Sequence, residues 1–156
     1  MNRRGFSLVE LLIVITLMGL LTGIGTFQFS KYTKKSQISS QTRVLYGDLM
    51  EYRMRAFYEK RPWTFKISAS GYGIYSSSNV DVAPVTSVAL KHPVTSSDSL
   101  NVVYDRQGAA DLSGKKAVCI ASSNDSPVDS VVISATRVQI GKKDEGSCES
   151  ANIIAQ

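Results

Sequence analysis

Proline is missing from the first 61 residues of this 156-residue chain, and from Leu11 to Phe29 there is no charged residue either. An unbroken apolar run of that length matches the roughly 20 residues a helix needs to cross about 30 Å of hydrocarbon. A soluble domain this small rarely holds a helix that is apolar on every side, so the run reads as a membrane span rather than a core helix. Histidine occurs once, as His92 in Lys91-His92-Pro93, which reads as a surface loop. A metal site needs more ligands than that, and there is no metal-spaced cluster, no glycine-rich phosphate loop and no nucleophile with an identifiable base. The expectation is a protein without catalytic residues, cofactor or metal.

Cysteine occurs twice, as Cys119 and Cys148, both far downstream of the span. An even count in a domain outside the cytosol reads as a disulfide; the alternative is two free buried thiols. One bridge there would close a loop of about 28 residues and contribute about 3 kcal/mol.

The net charge of +5 is unevenly placed. Residues 31–62 hold eight Lys/Arg against Asp48, Glu51 and Glu59, whereas residues 63–156 hold eight Lys/Arg against nine Asp/Glu. The downstream domain is therefore near neutral, and the excess beside the span argues for topology more than for nucleic-acid binding. Arg3 and Arg4 precede the span and are expected in the cytoplasm, with the C-terminal part exported.

Secondary-structure periods divide the chain further. Ile38, Leu45, Leu49, Tyr52 and Ala56 fall on one helical face, so a helix is expected from near Phe6 to near Tyr58, ending before Arg61-Pro62. From Pro62 the period becomes two: Trp63, Phe65 and Ile67 alternate with Thr64, Lys66 and Ser68 as a half-buried strand. Residues 69–71 turn it and 72–75 return, followed by a polar loop at 76–79. Further strands are expected at 85–90, 100–104, 116–121 and 130–140, and 141–156 reads as a polar loop. The fold class is α+β, a long N-terminal helix packed on an antiparallel, mostly β head. Its parts are a leader at 1–5, a span at 6–29, an amphipathic half at 30–61 and the head at 62–156.

The chain opens Arg4-Gly5-Phe6-Ser7-Leu8-Val9-Glu10-Leu11-Leu12, which closely resembles the processing site of type IV prepilins and pseudopilins. The resemblance implies cleavage by a prepilin peptidase between Gly5 and Phe6 and methylation of the new amine on Phe6. It also implies that Glu10 faces the N-terminal amine of a neighbouring subunit during assembly. An acidic residue at the end of an apolar helix is costly alone and compensated beside an ammonium, the alternative being that it snorkels to the headgroups. Gly19 and Gly23 form a Gly-x-x-x-Gly spacing suited to close helix packing. Many pilins carry a proline in this helix; here there is none before Pro62, and Gly23 and Gly25 are the expected weak point.

A second resemblance, to the minor pseudopilin GspH and the FimT/FimU minor pilins, rests on Arg53-x-Arg55-Ala56, Arg61 to Phe65, Gly71 to Tyr75, Tyr104-Asp105-x-x-Gly108 and Val132 to Val138. Thr136 stands where that group usually has glycine before the late arginine. The resemblance implies a minor pilin that primes or caps a type IV pilus. Alternatives are a GspH-like pseudopilin of a type II secretion system, a major pilin, or a DNA-binding minor pilin using Arg137, Lys142 and Lys143. Implied partners are other pilins, the prepilin peptidase, an inner-membrane assembly platform and the lipid bilayer. The implied location is the bacterial inner membrane, with the head in the periplasm and later in a filament or at the cell surface.

Overall fold

The computed structural model describes residues 7–96, 100–121 and 126–156, with residues 24–27 described by backbone alone. The chain divides into two compact units, Met1–Lys34 and Lys35–Gln156. One helix, α1 (Leu8–Glu59), supplies nearly all the described structure of the first unit and the opening of the second. In the first unit every described side chain from Ser7 to Gly23 is exposed, with Leu8 to Met18 and Leu20 to Leu21 contributing large apolar groups around the whole circumference.

In the second unit the helix is amphipathic. Ile38, Leu45, Leu49 and Ala56 are buried on one face, and Tyr52, expected among them, is half-buried. Thr42 completes the buried stripe because its hydroxyl donates to the Ile38 carbonyl (2.8 Å), which satisfies a polar group that burial would otherwise penalise. The helix stops where Lys60 adopts a left-handed backbone (φ 53°) two residues before Pro62. A left-handed residue after the last turn, with proline just beyond, is a common helix ending. Arg61 Nε and Trp63 Nε1 both donate to the Glu59 carboxylate, at 2.6 and 3.2 Å. The Arg61 bond is also the main reason the Glu59 carboxyl is held below the usual carboxylate range.

The strands are β1 (Trp63–Ser68), β2 (Gly71–Tyr75), β3 (Thr86–Ala89), β4 (Val94–Ser96), β5 (Leu100–Tyr104), β6 (Lys116–Ile120), β7 (Ser130–Ile133), β8 (Val138–Lys143) and β9 (Ile153–Ala155). They form two antiparallel sheets, ordered β3-β2-β1-β5 and β4-β6-β7-β8-β9. The expected alternation in β1 holds for Trp63, Phe65 and Ile67, but Thr64 is buried too, its hydroxyl donating to the Ser77 carbonyl at 2.7 Å. The core joins the helix stripe to Trp63, Phe65, Ile74, Val102 and Tyr104 of one sheet and Val118, Val131 and Ile133 of the other. Full burial of each large apolar side chain contributes about 1.5–3 kcal/mol. Tyr52 sits between two core aromatics, its ring 4.8 Å from Trp63 and 5.6 Å edge-on from Phe65.

Three expectations about the later strands need correction. The single strand at 130–140 is two strands, separated by a turn in which the Ser134 hydroxyl donates to the Arg137 carbonyl (2.8 Å). The expected loop at 141–156 continues β8 to Lys143, makes a short 3-10 turn at Ser150–Asn152 and closes with β9 against β8. Strand β4, paired with β6, was not expected at all.

Candidate assembly interface

The apolar half of α1 is the feature with no partner inside its own unit. It carries an 18-residue window of mean hydropathy 2.2 with none of it buried. Two of its polar side chains are satisfied within the helix: Thr16 donates to the Leu12 carbonyl and Thr22 to the Met18 carbonyl, each at 2.7 Å. Their hydroxyls therefore enter an apolar medium with a hydrogen bond already made.

Gly5 and Phe6, the expected cleavage and methylation residues, lie outside the described residues. Ser7 stands immediately before the helix and Glu10 three residues on, in its first turn. Ser-x-x-Glu is the spacing of a capping box, and a carboxylate here also meets the positive end of the helix dipole. That spacing was readable in Ser7-Leu8-Val9-Glu10, and the helix dipole favours an acidic residue at Glu10. Gly19 and Gly23 lie within the helix, and a Cβ built on either meets nothing of this chain within 4 Å.

The downstream motif residues are brought together by the fold. Arg53, from the second half of α1, donates through Nε to the Gly108 carbonyl at 2.8 Å. Gly108 has φ +75°, where a side chain is strained, and a Cβ there would stand 3.2 Å from the Arg53 carbonyl oxygen, which would have to give by a few tenths of an ångström. Asp105 shapes the same loop, its Oδ1 accepting from the Gln107 and Ala109 amides at 2.9 and 2.8 Å. Arg53 and Tyr104-Asp105-x-x-Gly108 are thus one clamp between helix and sheet. Arg55, by contrast, faces outward, paired with Glu51 at 2.9 Å and lying over the Tyr52 ring.

Two further clasps had no signal in the sequence pattern. The Tyr72 hydroxyl donates to the Asp48 carboxylate, and burial together with that bond pushes the Tyr72 hydroxyl well above its ordinary pKa. The Gln41 side chain donates to the His92 carbonyl (2.7 Å) and accepts from the His92 amide (3.0 Å), tying the loop before β4 to the helix. Tyr104 is buried with its hydroxyl unpaired among the described residues, and burial raises its pKa as well.

Cys119 of β6 and Cys148 form a disulfide, with Cα atoms 5.9 Å apart. It fastens the segment between β8 and β9 to β6, next to the edge strand β4 of the second sheet, and the cysteine count had suggested a disulfide. The three candidate DNA-binding cations are not gathered. Arg137 is exposed in the turn before β8, whereas Lys142 and Lys143 end that strand, roughly 17 Å further at about 3.4 Å per residue. Lys143 Nζ donates to the Gly146 carbonyl at 3.0 Å. No cluster of three or more His, Cys, Asp or Glu able to hold a metal is present among the described residues.

Residues 1–26 match the family model described as the prokaryotic N-terminal methylation motif. The motif stands at the start of the apolar N-terminal helix that leads into the α+β head. Among solved structures it is similar to the type IV minor pilin FimU of Pseudomonas aeruginosa in two crystal forms. One, in space group P21, aligns with TM-score 0.61 at 16% identity, over 76% of this chain and 99% of FimU. The other, in P65, aligns with TM-score 0.57 at 17% identity, over 70% of this chain and 98% of FimU. At such identities the likeness is one of fold. No curated protein sequence matches the chain significantly.

Proposed function

We propose that this chain is a minor pilin that helps to prime or cap a type IV pilus by packing its N-terminal helix among those of other pilins. The observation that carries the reading is the pairing of a methylation motif over residues 1–26 with an apolar helix segment that buries none of itself. Such a segment needs a bilayer first and neighbouring helices afterwards. Before assembly the helix spans the inner membrane with the head in the periplasm; a prepilin peptidase removes residues 1–5 and methylates Phe6.

Assembly then moves the helix from lipid to a bundle of its own kind through the platform in that membrane. Glu10 is the residue whose cost changes most. A carboxylate carried alone into the apolar core of a filament is penalised by several kcal/mol, and a neighbour's N-terminal amine compensates it. Gly19 and Gly23 allow the close approach that this pairing needs. The FimU-like fold and the disulfide in the head favour a pilus over a secretion pseudopilin.

Complementation of a deletion strain with Glu10→Ala tests the docking role. The variant should be produced, processed and held in the membrane at normal levels while its recovery in sheared filaments falls at least tenfold. Undiminished recovery would show that Glu10 does not dock.

A further inference from the structure

The apolar segment of α1 ends in Phe29, Lys31, Tyr32 and Lys34, and these four residues carry chemistry that filament packing does not use. Phe29 and Tyr32 are each 71% exposed, and Lys31 and Lys34 are exposed beside them. The two lysines, three residues apart on a helix, share one face and repel each other. No Asp or Glu occurs anywhere between Glu10 and Asp48, so nothing on the same helix within reach offsets them. No ion pair involving either lysine is found among the described residues.

Depth fixes what does offset them. Glu10 and Lys31 are 21 residues apart on one unbroken helix, a rise of about 32 Å at 1.5 Å per residue. That is close to the roughly 30 Å of a bilayer's hydrocarbon core. With Glu10 at one boundary, Lys31 reaches the other, and Lys34 lies a further 4.5 Å or so out, among the headgroups. Tyr32 falls in the zone where amphipathic rings collect, and lysine stems extend along the apolar surface while the ammonium stays polar. The bias against Lys and Arg on the exported side makes this placement unfavourable unless that leaflet supplies negative charge.

We propose that Lys31 and Lys34, flanked by Phe29 and Tyr32, form a docking surface for anionic phospholipid headgroups in the leaflet at the C-terminal end of the span. The surface holds the subunit at a fixed depth. It also opposes removal from the membrane, because leaving the bilayer breaks both ammonium–phosphate contacts. The inference rests on the membrane placement of α1 and not on the filament role. A chain that builds no filament would still select lipid, and a filament-forming chain without lipid preference would overturn this proposal alone.

The test uses the full-length chain reconstituted in phosphatidylcholine vesicles containing phosphatidylglycerol, with spin-labelled versions of both lipids reporting which one occupies its perimeter. The wild-type chain should favour phosphatidylglycerol by up to about 25-fold, at about fivefold for each of the two lysines near an anionic surface. The preference should fall to near unity in Lys31→Gln/Lys34→Gln and at high salt, and persist in Lys31→Arg/Lys34→Arg. Inorganic phosphate at matched ionic strength should leave it unchanged. Equal occupancy by the two lipids in wild type, an unaltered preference in the glutamine variant, or displacement by free phosphate would each overturn the proposal.

Discussion

Tyr72 and Gly108 hold the helix to the first sheet by opposite means, one through a bond and the other through the absence of a side chain. Tyr72 donates to Asp48 from a buried position. A hydrogen bond to a charged acceptor contributes about 1.5–3 kcal/mol, so Tyr72→Phe should lower unfolding free energy by that amount in denaturant titrations of the detergent-solubilised chain. The same bond gives a pH signature. Burial first, and the Asp48 bond second, raise the Tyr72 pKa above the unfolded value of about 10. A group held protonated in the folded state stabilises it fully below that value, and the stabilisation is lost as pH rises beyond it. Stability should therefore begin to fall as pH rises through about 10 and go on falling above it, more steeply in wild type than in Tyr72→Phe. Gly108→Ala should cost at least about 1–2 kcal/mol through its left-handed backbone, before any displacement of the Arg53 carbonyl is counted. An alanine variant as stable as wild type would mean the loop can re-form without the clamp.

The elements differ in how far the sequence announced them, and the differences have physical causes. Helix α1 was legible from its apolar run, its later seven-four-three-four spacing and the Arg61-Pro62 stop. Strands β1 and β2 were legible because Trp63, Phe65 and Ile67 alternate and a Gly-containing turn follows. The break at 134–137 was hidden: Ser-Ala-Thr-Arg contains no glycine, proline or asparagine, and the turn is closed by Ser134 with the Arg137 backbone. Strand β9 was hidden because only Ile153 and Ile154 mark it in a polar tail, and it exists through its pairing with β8. Strand β4 is three residues long beside Pro93, too short for a period to show. At the candidate interface, the processing-site resemblance singles out Glu10 and the Gly-x-x-x-Gly spacing singles out Gly19 and Gly23, and their roles stand as proposals. The Arg53–Gly108 clamp was not, because its partners lie 55 residues apart.

The glycines provide the test at this scale. Gly19→Leu and Gly23→Leu place a Cβ in open space on the helix surface, so folding and membrane insertion should be unchanged. Filament recovery should drop several-fold, because the added side chains stand where neighbouring helices must approach. Equal recovery of both variants and wild type would place the packing face elsewhere on the helix.

For the molecule as a whole, the account assigns different work to the two units. The head, Lys35–Gln156, buries its own core, is fastened by Cys119–Cys148 and has the fold of a type IV minor pilin. Among the described residues of Met1–Lys34, the apolar stretch of α1 buries nothing and exposes apolar surface on all sides, which suits the proposed exchange of lipid for other helices. On the proposed function, that exchange depends on processing, which would remove the two leader arginines and create the amine that Glu10 is proposed to meet. The most direct measurement is mass spectrometry of the chain recovered from sheared surface filaments. The account predicts an N-terminal peptide beginning at N-methylated Phe6 in that fraction. Recovery of the chain only from membranes, with Met1 to Gly5 still attached, would contradict it.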